Sequence, residues 1–129
     1  MRNEVIANAA VALIGIGLLA IGAFAIAAPE TTAAMFGVRI HSTEARPYVW
    51  ATATRDVAIG CWFLVLLVLR VPRQTLGASL IVAALIPIGD FINVYSNAVE
   101  STTALLLHGG SSIVFLAFGT WLWLTDPSR

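Results

Sequence analysis

A few polar side chains stand where this sequence is otherwise apolar. "TRDVAIG" carries Arg55 and Asp56, "IPIGDFINV" carries Asp90 and Asn93, and "LLLHGGSS" carries His108 followed by Ser111 and Ser112. An aspartate and a histidine in a low dielectric supply an acid and a base whose proton affinities are pushed apart. An arginine near them can keep a carboxylate ionised or steady a developing oxyanion. Asp90, His108 and Arg55 are therefore the candidate catalytic residues. Asp56, Asn93, Ser111 and Ser112 are the candidate ligand-binding residues, since amides, hydroxyls and a second carboxylate orient a bound molecule.

Other chemistry is thinly supported. Ser111 and Ser112 follow His108 by three and four residues. A Ser–His nucleophile pair at that spacing arises readily by chance, and helix packing is the plainer role. His41, Glu44 and Glu100 fall on one side of the membrane, but there is no HExxH and no cysteine pair, so no metal is expected. There is no glycine-rich phosphate loop and no GxSxG elbow, and no cofactor is expected. Cys61 is the only cysteine and is read as a small core residue beside Trp62. With seven arginines, no lysine and a formal net charge of zero, no basic patch points to nucleic acid.

The elements that must position these groups are membrane helices. Of 129 residues 59% are hydrophobic and 11% charged, more apolar surface than a small soluble domain can hide. Four runs reach the roughly 20 residues a helix needs to cross a bilayer: 5–28, 48–69, 74–95 and 102–124. They are continuous, not alternating, which argues against a membrane barrel. The reading is an all-α, four-helix transmembrane bundle, antiparallel and up-down, forming one domain over residues 1–129. Its first partner is the lipid bilayer. It is a multi-pass membrane protein, in the plasma (inner) membrane if the cell is bacterial.

Prolines and arginines refine the topology. Pro29 closes the first helix, and "TTAAMFGV" can lie at the interface as a short helical turn. Pro47 suits the first turn of the second helix, where a missing N–H costs little. "RVPR" and "SNAVES" are short connections. Arg2, Arg70, Arg73 and Arg129 fall on one side and Arg39 and Arg46 on the other, which places both termini in the cytoplasm. Tyr48, Trp50 and Tyr95 mark one interface, and Trp121 and Trp123 the other. The first run also has small residues near Ala27 that suit signal-peptide cleavage, but it is longer than the ~7–15 residues of a signal core and is read as a retained helix.

Depth links the polar groups. Arg55 comes seven residues after Tyr48, Asp90 five before Tyr95 and His108 six after Thr102. At 1.5 Å per residue all three lie roughly 8–10 Å below the surface that carries the long loop. Each intramembrane charge costs on the order of 3 kcal/mol to insert and usually has a partner inside the bundle. Adjacent Arg55 and Asp56 diverge by about 100° on a helix and are not expected to face each other. Arg55 is expected to reach Asp90, leaving Asp56 for His108 or the long loop. Pro87 removes a helix hydrogen bond from the Ala83 carbonyl and should kink the third helix. Gly89 should leave a thin wall beside Asp90. Gly15, Gly17 and Gly22 make the first helix a close-packing partner, with a homo-oligomer through these small residues as a further expectation.

A glycine-rich first helix, "PETTAAMFGV" in the first loop, "RDVAIG" early in the second helix, an aspartate late in the third and a histidine early in the fourth occur in this order. The chain thereby resembles a family of small bacterial and fungal integral membrane proteins catalogued as a domain of unknown function. The resemblance runs from about residue 10 to 124 and falls on Pro29, Phe36, Gly37, Arg55, Asp56, Gly60, Asp90 and His108. It implies the four-helix architecture and no particular activity. The residues themselves point to a buried Arg/Asp/His site toward the non-cytoplasmic face that binds a lipophilic small molecule. Acid–base isomerisation, cyclisation or epoxide opening is the chemistry such a site could do. The alternatives are a structural charged layer in a non-catalytic protein, or a subunit of a small transporter.

Overall fold

A computed structural model describes residues 2–36, 46–96 and 101–126. These residues are almost entirely helical and contain no strand. The helices are α1 (Arg2–Ala27), α2 (Pro29–Met35), α3 (Arg46–Val68), α4 (Arg73–Ala83), α5 (Leu85–Ser96) and α6 (Thr102–Leu124). Four stretches are long and apolar enough to cross a membrane: Glu4–Ala27, Arg46–Val68, Arg73–Ser96 and Thr102–Leu124. They match the four runs expected from the sequence to within a residue or two. Large apolar side chains such as Leu13, Val68, Val82 and Ile113 lie on the outside. Hydrocarbon, not water, is the solvent for which such a surface is suited.

Contacts divide the chain into two compact units, Met1–Leu69 and Arg70–Arg129. In the first, α1 and α3 run antiparallel and touch backbone to backbone, because glycine removes the side chain at the crossing. A methyl group added at Gly22 would lie 2.6 Å from Val57 Cγ2 and 2.7 Å from the Ala53 carbonyl oxygen. One at Gly60 would lie 2.7 Å from the Gly15 carbonyl. This is the close approach that small residues permit between membrane helices. Val11, Phe63 and Leu66 fill the seam on either side. Gly17 faces outward, with nothing within 4 Å of such a methyl.

The short helical turn expected after Pro29 is α2. Pro29 takes its first position, where the missing N–H is no loss. Thr32 donates from Oγ1 to the Ala28 carbonyl at 3.0 Å, and Pro29, Thr32 and Ala33 are buried. Arg46, the first residue of α3, donates from Nε to Glu30 Oε1 at 2.8 Å, and its Nη2 reaches the same oxygen. Pro47 stands in the first turn of α3, as expected.

In the second unit, α4 and α5 make one span interrupted at Ala84. Ala84 keeps helical dihedrals, with φ −60° and ψ −22°. Its N–H donates to the Leu80 carbonyl at 2.9 Å, and the Ile88 N–H donates to the Ala84 carbonyl at 3.1 Å. The interruption sits where Pro87, buried in the first turn of α5, takes the N–H away from the Ala83 carbonyl. At the other end of the span Gly77 meets Gly119 and Trp123 of α6: a methyl at Gly77 would lie 2.6 Å from the Gly119 carbonyl. Leu76, Leu80, Phe115 and Leu122 pack around that crossing. Ser101 starts α6 in an extended conformation, and its hydroxyl accepts the Ala104 N–H at 3.2 Å.

Candidate functional site

The polar residues expected from the sequence include an ion pair in each unit. In the second unit, the buried line of α5 includes Pro87 and Val94, and that of α6 includes Ala104, Ser112 and Phe115. Asp90 and His108 belong to these facing lines. His108 Nδ1 stands 3.9 Å from Asp90 Oδ2, with the side chains 14% and 31% exposed. Phe91 closes one flank: a methyl on Gly109 would lie 3.3 Å from its ring, so glycine there lets the aromatic lie against α6. Phe91 also stacks on Tyr95, with ring centroids 6.3 Å apart. The carboxylate that His108 meets in its own unit is thus Asp90, where depth reckoning assigned it Asp56 or left that aspartate to the loop.

In the first unit, Arg55 Nε lies 3.5 Å from Asp56 Oδ1. This corrects the expectation that adjacent residues on a helix do not face each other. Their Cβ directions do diverge, but an arginine arm has three methylenes and can fold back over its neighbour.

The remaining candidate ligand-binding residues differ in their settings. Asn93 follows Asp90 by one turn and is exposed. Ser111 donates from Oγ to the Leu107 carbonyl at 2.7 Å, and Ser112 to the His108 carbonyl at 2.7 Å. With their protons given to their own helix, these hydroxyls retain only acceptor capacity toward a ligand. The Ser–His alternative loses ground for the same reason, since Ser112 bonds to the His108 main chain and not to its ring. His41, Glu44 and Glu100 lie outside the described residues. Among the described residues, no three His, Cys, Asp or Glu side chains gather in a group suited to a metal ion.

Two expectations about neighbouring residues need correction. Gly89 is exposed on the outer side of α5, and a methyl there would meet nothing within 4 Å. It therefore makes no room for Asp90. Cys61 is exposed, not a core residue. Both positions sit on helices that are apolar all round, so periodicity gives no sign of which face turns inward.

A second polar cluster was not expected from the sequence. Arg73 and Asp126 are buried, each 6% exposed. Arg73 donates from Nη2 to Thr125 Oγ1 at 2.8 Å, and its guanidinium carbon lies 4.8 Å from the centre of the Trp121 ring. Gln74, in the first turn of α4, donates its N–H to Asp126 Oδ2 at 2.6 Å. Asp126 thus caps α4 from beyond the end of α6, placing negative charge at the positive end of the helix dipole. The sequence does hold a clue. An arginine in the first turn of a helix is misplaced with respect to the dipole and calls for an anionic neighbour.

Outside the spans, the Glu30 carboxyl is perturbed. It is held below its ordinary value of 4.5, first by a hydrogen bond from its own backbone N–H and then by Arg46.

The family model described as a domain of unknown function (DUF4267) matches residues 15–122. That range takes in both ion pairs and all four spans in whole or in part. No curated protein and no solved structure matches the chain.

Proposed function

The chain belongs to the DUF4267 family of domains of unknown function, and from that premise we propose that this multi-pass membrane protein binds a lipophilic small molecule at a site built on Asp90 and His108. The observation that carries the proposal is the Asp90–His108 couple, two proton-exchanging groups from different helices at 3.9 Å within an apolar span. Intramembrane ionisable groups are expensive to insert, and function is the usual reason for keeping them. The proposed chemistry is proton transfer, in an isomerisation, a cyclisation or an epoxide opening, with Asp90 or His108 exchanging the proton. Asn93, one turn after Asp90 on the same helix, is proposed as a flanking polar group. The arginine bias adds that the site opens toward the non-cytoplasmic face and that both termini are cytoplasmic.

The test is to purify the full chain in mild detergent and look for a co-purifying small molecule by native mass spectrometry and by extraction. The expected result is an adduct on the wild type that is lost from Asp90→Asn and from His108→Gln. A wild-type protein that carries nothing, and takes up nothing from a lipid extract, overturns the proposal.

A structural reading competes with it on one observation. Arg55 already has a carboxylate within its own helix, so this charged pair can serve the fold alone. In that case Asp56→Asn, which strands the Arg55 charge, would unfold in detergent, with no adduct on the wild type.

A further inference from the structure

We infer that, within the site proposed above and resting on that reading, the proton is exchanged at Nε2 of His108, and that Asp90 is the positioning residue that presents this atom. The geometry is specific about which ring nitrogen faces the carboxylate. Nδ1 stands 3.9 Å from Asp90 Oδ2. A carboxylate accepts and never donates when ionised, so it favours the tautomer with the proton on Nδ1. The neutral ring then has its lone pair on Nε2, the nitrogen on the other side of the imidazole.

Two neighbours bear on this division of roles. Ser112 occupies the His108 main-chain carbonyl and not the ring. Phe91 and Gly109 pack α5 against α6 and so fix the spacing across which the couple acts. Asp90 thereby sets the tautomer and the tilt of the ring, while His108 touches the substrate. The proton moves from substrate to Nε2 and returns from Nε2 to substrate, so no co-reactant is required. The class of substrate that fits is a lipid-soluble molecule with an exchangeable proton, on a hydroxyl or on a carbon beside a carbonyl group.

The experiment reads the tautomer directly and needs no ligand. Full-length protein is labelled with nitrogen-15 histidine and placed in lipid vesicles, with His41→Gln so that a single imidazole reports. In alkaline buffer the wild-type ring is expected to show a protonated Nδ1 and a bare Nε2. Asp90→Asn should shift the ring to the Nε2–H tautomer or a mixture, and Asp90→Glu should restore the Nδ1–H form. A wild-type ring that is Nε2–H, or that stays doubly protonated in alkaline buffer, overturns the inference, and this reading holds even where Asp90→Asn fails to fold. A ring unmoved by a well-folded Asp90→Asn overturns it too. Failure here leaves ligand capture by the site standing, whereas a bare Nε2 on a protein that captures nothing overturns the functional reading alone.

Discussion

His108 Nδ1 faces Asp90 Oδ2 across 3.9 Å, and each side chain comes from a separate helix of the second unit. Removing one partner of a fully buried ion pair costs about 3–5 kcal/mol, because the other charge is stranded. Asp90 is 31% exposed at its side chain, so the penalty here is smaller than that. Asp90→Asn, which keeps the shape and a polar head, is expected to stay folded and monodisperse in detergent while losing the bound small molecule. Size exclusion with a thermal melt checks the first half, and the mass of the purified complex checks the second. Aggregation of Asp90→Asn together with an unliganded wild type would favour the structural layer.

Glycine positions give a sharper test of packing. Gly22→Ala would put a methyl 2.6 Å from Val57 Cγ2 and 2.7 Å from a backbone oxygen of α3, and backbone cannot step aside cheaply. Overpacking of this kind costs about 1–3 kcal/mol. Gly77→Ala meets the Gly119 carbonyl at 2.6 Å and should cost as much. Gly17→Ala and Gly89→Ala meet nothing within 4 Å and should be neutral or slightly stabilising, since alanine is the better helix former. Unfolding midpoints of the four variants in mixed detergent decide the matter. Equal midpoints would mean that the α1–α3 and α4–α6 seams are looser than described.

The spans were legible because length and apolarity alone mark a membrane helix, and Pro29, Pro47 and Pro87 punctuate the chain by removing N–H groups. The facing of individual residues was not. A helix apolar on every side has no polar stripe to orient it, so Cys61 and Gly89 were read as inward and lie outward. Gly17 was grouped with Gly15 and Gly22, yet it faces away from α3. Depth could be reckoned from Tyr48, Tyr95 and Thr102, since rise per residue is fixed. Which partner each charge takes depends on arm length and rotamer, and Arg55 folds onto Asp56 in a way no helical wheel displays. Asp126 lies beyond the last span, where only the folded chain brings it to α4.

That carboxylate supports the third prediction. Asp126→Ala removes the acceptor of the Gln74 N–H and the negative charge at the head of α4. Losing such a cap costs about 0.5–2 kcal/mol. The first-turn amides of α4 should exchange faster with solvent deuterium, with little change around Asp90 and His108 at mid-span. Asp126→Asn keeps an acceptor and should recover part of the protection. Arg73→Met should loosen the same turn, because it removes the bond to Thr125 and the stacking over Trp121.

The last prediction concerns acid. Glu30 joins α2 to the first residue of α3 through Arg46. Its carboxyl is held below the ordinary 4.5, so the folded state favours the ionised form. A depressed acid contributes its full stabilisation above the unfolded value and loses it as pH falls through the folded one. Protection of the α2 amides should therefore be flat from neutral pH down to about 5 and decline only in stronger acid. Glu30→Gln should abolish that decline, giving the lower protection at every pH, and Arg46→Gln should move the decline toward higher pH without removing it, since the backbone N–H of Glu30 still holds the carboxylate. Hydrogen exchange measured between about pH 3 and 7 distinguishes these profiles. A wild-type α2 whose protection falls steadily through neutral pH would show that a group other than Glu30 governs it.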